Sequence, residues 1–168
     1  MSYNAEVITR PNKLAQDDTQ TLPVIQHVVE SIEEEFEYVI TLQPTSPLRN
    51  NQHIDGALDL FMNNNEADSL VSVTEVPHNM NPHSIMLLNK KGYLENYINQ
   101  DQLVLRRQDK QTFFSRNGAA IYITRTGLLK KYIFGGKIVP FFMNSIDSID
   151  IDNEEDFKLA SYMIKIRT

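Results

Sequence analysis

The sequence predicts an α/β protein built on a mostly parallel sheet with helices on both faces. Three observations point there. Segments of strand character alternate with segments of helical periodicity over most of the chain. The run Tyr38-Val39-Ile40-Thr41-Leu42 lacks the polar alternation of a one-sided strand, as expected of a central parallel strand covered on both faces. A length of 168 residues with 41% hydrophobic content is enough for one domain with its own core. There is no cysteine, which removes disulfides, thiolate nucleophiles and Cys-ligated zinc. The net charge of −6 argues against a nucleic-acid partner, because the phosphate backbone is held by Lys and Arg. The opening MSYNAEVITR has no apolar secretory core, and no segment approaches the roughly 18 apolar residues of a membrane span, so a cytoplasmic location without a membrane partner is expected.

The elements follow in order. Ala5 to Thr9 (AEVIT) is a short β-branched run closed by Arg10-Pro11 and reads as a strand. From Thr21 the pattern turns helical, with Pro23 in the first turn and Leu22, Ile25, Val28, Val29 and Ile32 on one face. The strand at Tyr38 to Leu42 runs into Gln43-Pro44-Thr45-Ser46-Pro47-Leu48-Arg49, where two prolines end the ladder. Polar side chains thus gather at a strand's carboxyl end, the place where open α/β sheets bind ligands. A helix starts at Asn50-Asn51, puts Ile54, Ala57, Leu58 and Phe61 on one face and stops in Asn63-Asn64-Asn65. Ser69 to Val76 is the next strand. Ile85 to Leu88, the turn Asn89-Lys90-Lys91-Gly92 and Tyr93 to Ile98 form a hairpin inside an excursion from about Pro77 to Arg116. Ala119 to Thr124 resumes the buried-strand pattern, Leu128 to Tyr132 is a helical turn, and Lys137 to Met143 is a strand that Pro140 assigns to an edge or bulge. A helix closes the chain from Asn153, with Asp152 and Glu155 as a capping box and Phe157, Ala160, Ser161 and Ile164 as its packing face.

The sharpest chemical signal is Ser148-Ile149-Asp150-Ile151-Asp152. In an extended segment Asp150 and Asp152 share one face and the isoleucines take the other. Two such carboxylates suit Mg²⁺, which is held by one or two carboxylates together with substrate phosphates. An acidic helix start, favoured by the dipole, explains the same residues without a metal. Asp156 either orients the pair or complements the dipole. Arg106-Arg107 and Arg116-Asn117 offer guanidinium groups of the kind that hold carboxylate or phosphate, although adjacent surface arginines are also common. His78 and His83 read as ordinary loop residues. The six glycines form neither a G-x-G-x-x-G nor a Walker-type loop, so a backbone cradle for a triphosphate is missing from these residues.

Taken together, LQPTSPLR (Leu42 to Arg49), RNGAAIYI (Arg116 to Ile123) and SIDIDNEED (Ser148 to Asp156) resemble the acylneuraminate cytidylyltransferase family, the CMP-sialic acid synthetases. The similarity extends from about Ala5 to the carboxyl terminus, with the motifs in the family's order. It implies a Rossmann-like sheet of the nucleotide-diphospho-sugar transferase type. It also implies transfer of CMP from CTP to the anomeric hydroxyl of a sialic-type nonulosonic acid, with release of pyrophosphate and Mg²⁺ as cofactor. By resemblance Asp150 and Asp152 are the metal ligands and Gln43 contacts the sugar. Arg10, Thr19 and Thr21 fall in the loop of nucleotide-side contacts, and Arg107 is the arginine in or beside the excursion that reaches sugar or phosphate. Arg116 and Asn117 belong to the family's N-G-A segment as substrate-binding residues. The excursion, 77–116, resembles a dimerisation insertion and implies a homodimer.

Family members begin with a strand and a basic, glycine-containing loop that grips CTP, and the chain resembles them only beyond that point. The expectation is therefore one cytidylyltransferase-like domain over 1–168 without its amino-terminal CTP-binding segment. A non-catalytic sugar-binding or dimerisation module is the alternative, and a cytidylyltransferase for the eight-carbon acid Kdo is a third.

Overall fold

The computed structural model describes residues 5–99, 104 and 106–167. Seven strands and three α-helices occur among them: α1 (Thr21–Glu30), β1 (Tyr38–Thr41), α2 (Asn51–Met62), β2 (Ser69–Glu75), β3 (Met86–Leu88), β4 (Leu94–Asn96), β5 (Phe114–Arg116), β6 (Tyr122–Arg125), β7 (Ile138–Phe142) and α3 (Glu154–Arg167). Most expected elements form within a residue or two of their sequence signals. Residues 5–9 form no regular secondary structure, and Val7 is 90% exposed. A β-branched run becomes a strand only where a ladder partner is available, and among the described residues this one has none.

The main sheet turns on β2. One edge of β2 pairs in parallel with β7, with Val71 opposite Pro140. The other edge pairs antiparallel with two segments in succession: β6 opposite Ser69 to Val71 and β5 opposite Val73 to Glu75. β5 and β6 thus act as one long strand interrupted at residues 117–121, and Ser72 lies opposite the interruption. β1 pairs antiparallel with β6 on its far side. β1, β2 and β7 run in one direction, as a doubly wound sheet requires, but the pairing is not mostly parallel because the reversed β5/β6 strand is inserted between β1 and β2. The reason is connectivity. The chain leaves β2 through the excursion and returns beside it, so the link is a long hairpin, which produces antiparallel neighbours, and not a helical crossover.

Side chains alternate across β2 and β6. Leu70, Ile121 and Ile123 face one side, where they join Ala57 and Phe61 of α2 with Ala67, Ala120 and Met143 in the larger core cluster. Val71, Val73 and Tyr122 face the other, against Ala119, Ile133 and Phe134. β1 was expected to be covered on both faces, yet all four of its residues are only half-buried, since β6 is its one ladder neighbour among the described residues. Asn50 caps α2 through a reciprocal box: its side chain accepts from the His53 N–H at 3.1 Å, and His53 Nδ1 accepts from the Asn50 N–H at 3.2 Å.

α3 differs from expectation twice. Its capping partners are Asn153 and Asp156, not Asp152 and Glu155. Asn153 Oδ1 accepts from the Asp156 N–H at 3.0 Å, and Asp156 Oδ2 accepts from the N–H groups of Asp152 and Asn153 at 3.1 and 3.2 Å. Of the expected packing face only Ala160 is buried; Phe157 is 58% and Ile164 45% exposed. A 3.6-residue period marks one face as apolar but does not guarantee that the fold lays another element on it.

β3 and β4 pair as a separate hairpin, Leu88 opposite Leu94. Its apolar side chains face water: Met86, Leu87, Leu88, Tyr93, Leu94 and Tyr97 are all about half to three-quarters exposed.

Candidate functional site

A cleft of 370 Å³ opens at the carboxyl end of β1, on the sheet face opposite α2. It is lined by Thr21, Gln43, Arg116, Gly118, Ala119, Tyr122, Ile133, Phe134 and Asp150. Four residues singled out from the sequence therefore meet in one place: Thr21 at the first turn of α1, Gln43 just past β1, Arg116 at the end of β5 and Asp150 before α3. A larger hollow of 810 Å³ lies elsewhere, between the β2 and β7 ends and the start of the excursion, and contains none of them.

Backbone bonds bring these segments together. The Gln43 N–H donates to the Ala119 carbonyl at 3.3 Å, and the Ile151 N–H donates to the Thr45 carbonyl at 2.9 Å. The loop after β1 is thereby tied both to the β5/β6 interruption and to the acidic segment. Arg49 adds a third tie, its Nη1 donating to the carbonyls of Gln43 at 3.1 Å and Ala120 at 2.7 Å. Burial lowers the Arg49 guanidinium below its ordinary value, but a guanidinium stays charged at any working pH and keeps both bonds. Nothing in the sequence beyond its place in LQPTSPLR marked Arg49 for this role.

The far wall is aromatic. Phe134 and Tyr122 meet edge to face with ring centroids 5.0 Å apart, and the Arg116 guanidinium sits 5.1 Å from the centre of the Phe134 ring. The wall is clamped from behind: Thr124 Oγ1 donates to the Ile133 carbonyl, while Ser69 Oγ donates to the Gly135 carbonyl at 2.8 Å and accepts from the Gly135 N–H at 3.0 Å. The sequence reading places Tyr122 only within a buried strand and does not single out Phe134, because an apolar side chain in a strand or turn gives no separate signal for a cleft wall.

Asp150 rests on Gly118. Gly118 has φ +67°, and a Cβ added there would lie 2.0 Å from Asp150 Oδ2, so the carboxylate occupies the space that any other residue's side chain would fill. Ala119, the next residue, also has positive φ, at 57°. Asp150 Oδ1 is buried and has no hydrogen-bond partner among the described residues. Such an oxygen is costly to leave unmade, and a cation would satisfy it. The donor chemistry fits a hard divalent ion at Asp150, with Asp152 close by in sequence but exposed and its N–H held by Asp156. Among the described residues no three His, Asp or Glu side chains gather into a metal cage.

The remaining sequence candidates lie outside the cleft lining. Arg10 is exposed. Thr19 Oγ1 accepts from the Gln16 N–H at 3.1 Å and closes the turn before α1. Asn117 is 4% exposed and sits behind the cleft, bonded only to protein groups. Arg107 begins a 3₁₀ turn, Arg107–Asp109, and its side chain lies outside the described residues.

Fold and cleft together define an α/β protein with a carboxylate, an arginine and an amide around one opening at the strand ends. Comparison with known proteins gives the family: residues 1–161 match the cytidylyltransferase model, and the chain belongs to that family. It is 31% identical over 153 residues to the N-acylneuraminate cytidylyltransferase of Streptococcus agalactiae serotype III (strain NEM316), covering 90% of this chain and 36% of that protein. It is 30% identical over 159 residues to the enzyme of the same name from Escherichia coli O18:K1:H7, covering 95% and 37%. The chain thus spans about a third of the length of these relatives. It is 28% identical over 172 residues to the post-translational flagellin modification protein B of Campylobacter coli, covering 98% and 71%. Among solved structures, CMP:2-keto-3-deoxy-manno-octonic acid synthetase complexed with CTP shares the fold, with a TM-score of 0.61, 12% identity, and coverage of 90% of this chain and 70% of that one. Among the described residues no helix is long and apolar enough to cross a membrane.

Proposed function

We propose that this cleft takes part in moving CMP from CTP to the anomeric hydroxyl of a nonulosonic acid in the cytoplasm, releasing pyrophosphate. The observation that carries the reading is the meeting of Gln43, Arg116 and Asp150, from three motifs far apart in the sequence, in one cleft. In this reading the hydroxyl oxygen bonds to the α-phosphorus as the bond to pyrophosphate breaks, and the hydroxyl proton passes to solvent. Gln43 orients the sugar through its amide, Arg116 faces the acid's carboxylate or the phosphates, and Phe134 with Tyr122 supplies an apolar wall that keeps water from the reacting centre. Asp150 and Asp152 hold Mg²⁺, which when bound neutralises charge on the phosphate oxygens. Arg10, Thr19 and Thr21 take the nucleotide side and Arg107 reaches in from the excursion, while Asn117 acts from behind the cleft. The exposed β3–β4 hairpin supports self-association as a homodimer.

The test is a pyrophosphate-release assay with CTP, Mg²⁺ and a panel of nonulosonic acids. It is run on this chain and on this chain fused to the amino-terminal segment of one of the longer relatives. Acid-dependent release is expected in at least one, and Asp150→Asn lowers it by about 100-fold or more, the scale of losing a charge-stabilising group. Absence of release from both overturns the catalytic reading and favours a sugar-binding or dimerising module.

A further inference from the structure

Ser72 lies opposite the break on the β5/β6 edge of β2, with Phe141 of β7 as its ladder partner on the other edge, and it is fully buried. Its hydroxyl accepts from the Ile121 N–H at 2.8 Å and donates to Asn117 Oδ1 at 2.6 Å. Asn117 uses the other end of its amide as a donor, to Ser148 Oγ at 2.9 Å and to Met143 Sδ at 3.4 Å. A carbonyl oxygen only accepts and an amide nitrogen only donates, so the relay runs in one direction and every polar atom of the Asn117 side chain is occupied. It joins three segments: the centre of β2, the interruption of β5/β6 and the loop that carries Asp150. Asn117 immediately precedes Gly118, on which the Asp150 carboxylate rests, and Ser148 stands two residues before Asp150. One amide therefore holds both sides of the Gly118–Asp150 contact.

We propose that Asn117 is a positioning residue, which through Ser72 and Ser148 sets the Asp150 carboxylate over Gly118. The geometric part stands on the hydrogen bonds alone; its purpose, presenting Asp150 to a cation, rests on the reading above. Asn117 is 4% exposed, lies outside the cleft lining and has both amide N–H groups committed to protein partners, whereas groups that orient a metal ligand typically govern affinity through it.

The experiment uses the full chain and two readouts. The first is the side-chain carboxyl ¹³C resonance of Asp150 without metal, assigned with Asp150→Asn. The second is Mn²⁺ binding, followed by loss of the free-ion electron paramagnetic resonance signal. Ser148→Ala is expected to shift the Asp150 resonance and weaken Mn²⁺ binding by about 10-fold, with thermal midpoint little changed. Ser148→Thr restores both and its isostere Ser148→Val does not, a pair that decides the question even if Ser148→Ala folds poorly. An Asp150 resonance that stays put in Ser148→Ala and Ser148→Val, while the Asn117 side-chain amide resonances move, overturns the proposal. A wild-type chain that binds no Mn²⁺ but whose Asp150 resonance still follows the Ser148 hydroxyl upholds the positioning role and overturns the cation reading instead.

Discussion

An alanine at position 118 meets two obstacles at once. It must hold a φ of +67°, which costs an L-residue about 1–2 kcal/mol, and its Cβ would lie 2.0 Å from the Asp150 carboxylate. Gly118→Ala is therefore expected to lose about 2 kcal/mol or more in chemical denaturation, and to weaken divalent-cation binding as Asp150 moves. Asp150→Asn separates these effects. It removes a charge from a carboxylate whose buried Oδ1 has no partner among the described residues, so stability stays within about 1 kcal/mol of wild type or rises, while cation binding is lost. Gln43 and Asp150 stand out in the sequence where an apolar run gives way to polar groups at a strand end or helix start, and Arg116 stands out by the resemblance of RNGAAIYI; the structure brings the three to one cleft. Asn117 was legible as a position but not as a role, since an asparagine beside a glycine looks alike whether it faces solvent or lies bonded beneath the backbone. Burial and direction are set by β2, whose Ser72 is 45 residues away.

At the scale of elements, α2 and β2 were readable because each carries its whole pattern locally: a cap, a period and a stop for α2, an unbroken apolar run for β2. Residues 5–9 and the packing face of α3 depart from expectation in the same way, since a pattern names the face an element would bury and not whether a neighbour arrives, although the helix itself forms where the sequence places it. The β3–β4 hairpin is the extreme case, a regular ladder with its apolar side chains in water. If it mediates self-association, the wild-type chain sediments as a dimer at micromolar concentration. The double variant Leu88→Asp, Leu94→Asp, with the two carboxylates directly opposite, then sediments as a monomer. Its thermal midpoint should shift little, because neither side chain contributes to the core clusters. A wild-type monomer at that concentration would refute the assignment.

For the molecule as a whole, the accessible surface is 12480 Å². Size scaling gives roughly 8,500 Å² for a compact monomer of this mass. The hairpin and α3, with Phe157, Leu159, Tyr162 and Ile166 exposed, hold much of the apolar part of that excess. Exposed apolar surface gathered in this way is the kind that marks interaction sites. The α/β class was readable from the sequence, and so was the common direction of β1, β2 and β7. The reversed strand between β1 and β2 was not, because strand direction depends on how a 40-residue excursion closes and no local signal encodes that.

The break between β5 and β6 also has a mechanical consequence. β5 is exposed throughout and β6 is buried for all but its last residue, so the two halves of this one strand differ sharply in anchorage. A tear that starts where the excursion leaves β2 can peel Phe114, Ser115 and Arg116 away, but it then meets Asn117 and Ser72, the buried knot opposite the gap. The break acts as a crack arrester. In native-state hydrogen exchange the β5 amides should open with little protection, whereas Ile121, Ile123 and Thr124 exchange only near global unfolding. A smooth gradient across the break would show that the tear runs through. The arrest lets the excursion deform, Arg116 with it, while the Gly118–Asp150 side of the cleft stays assembled.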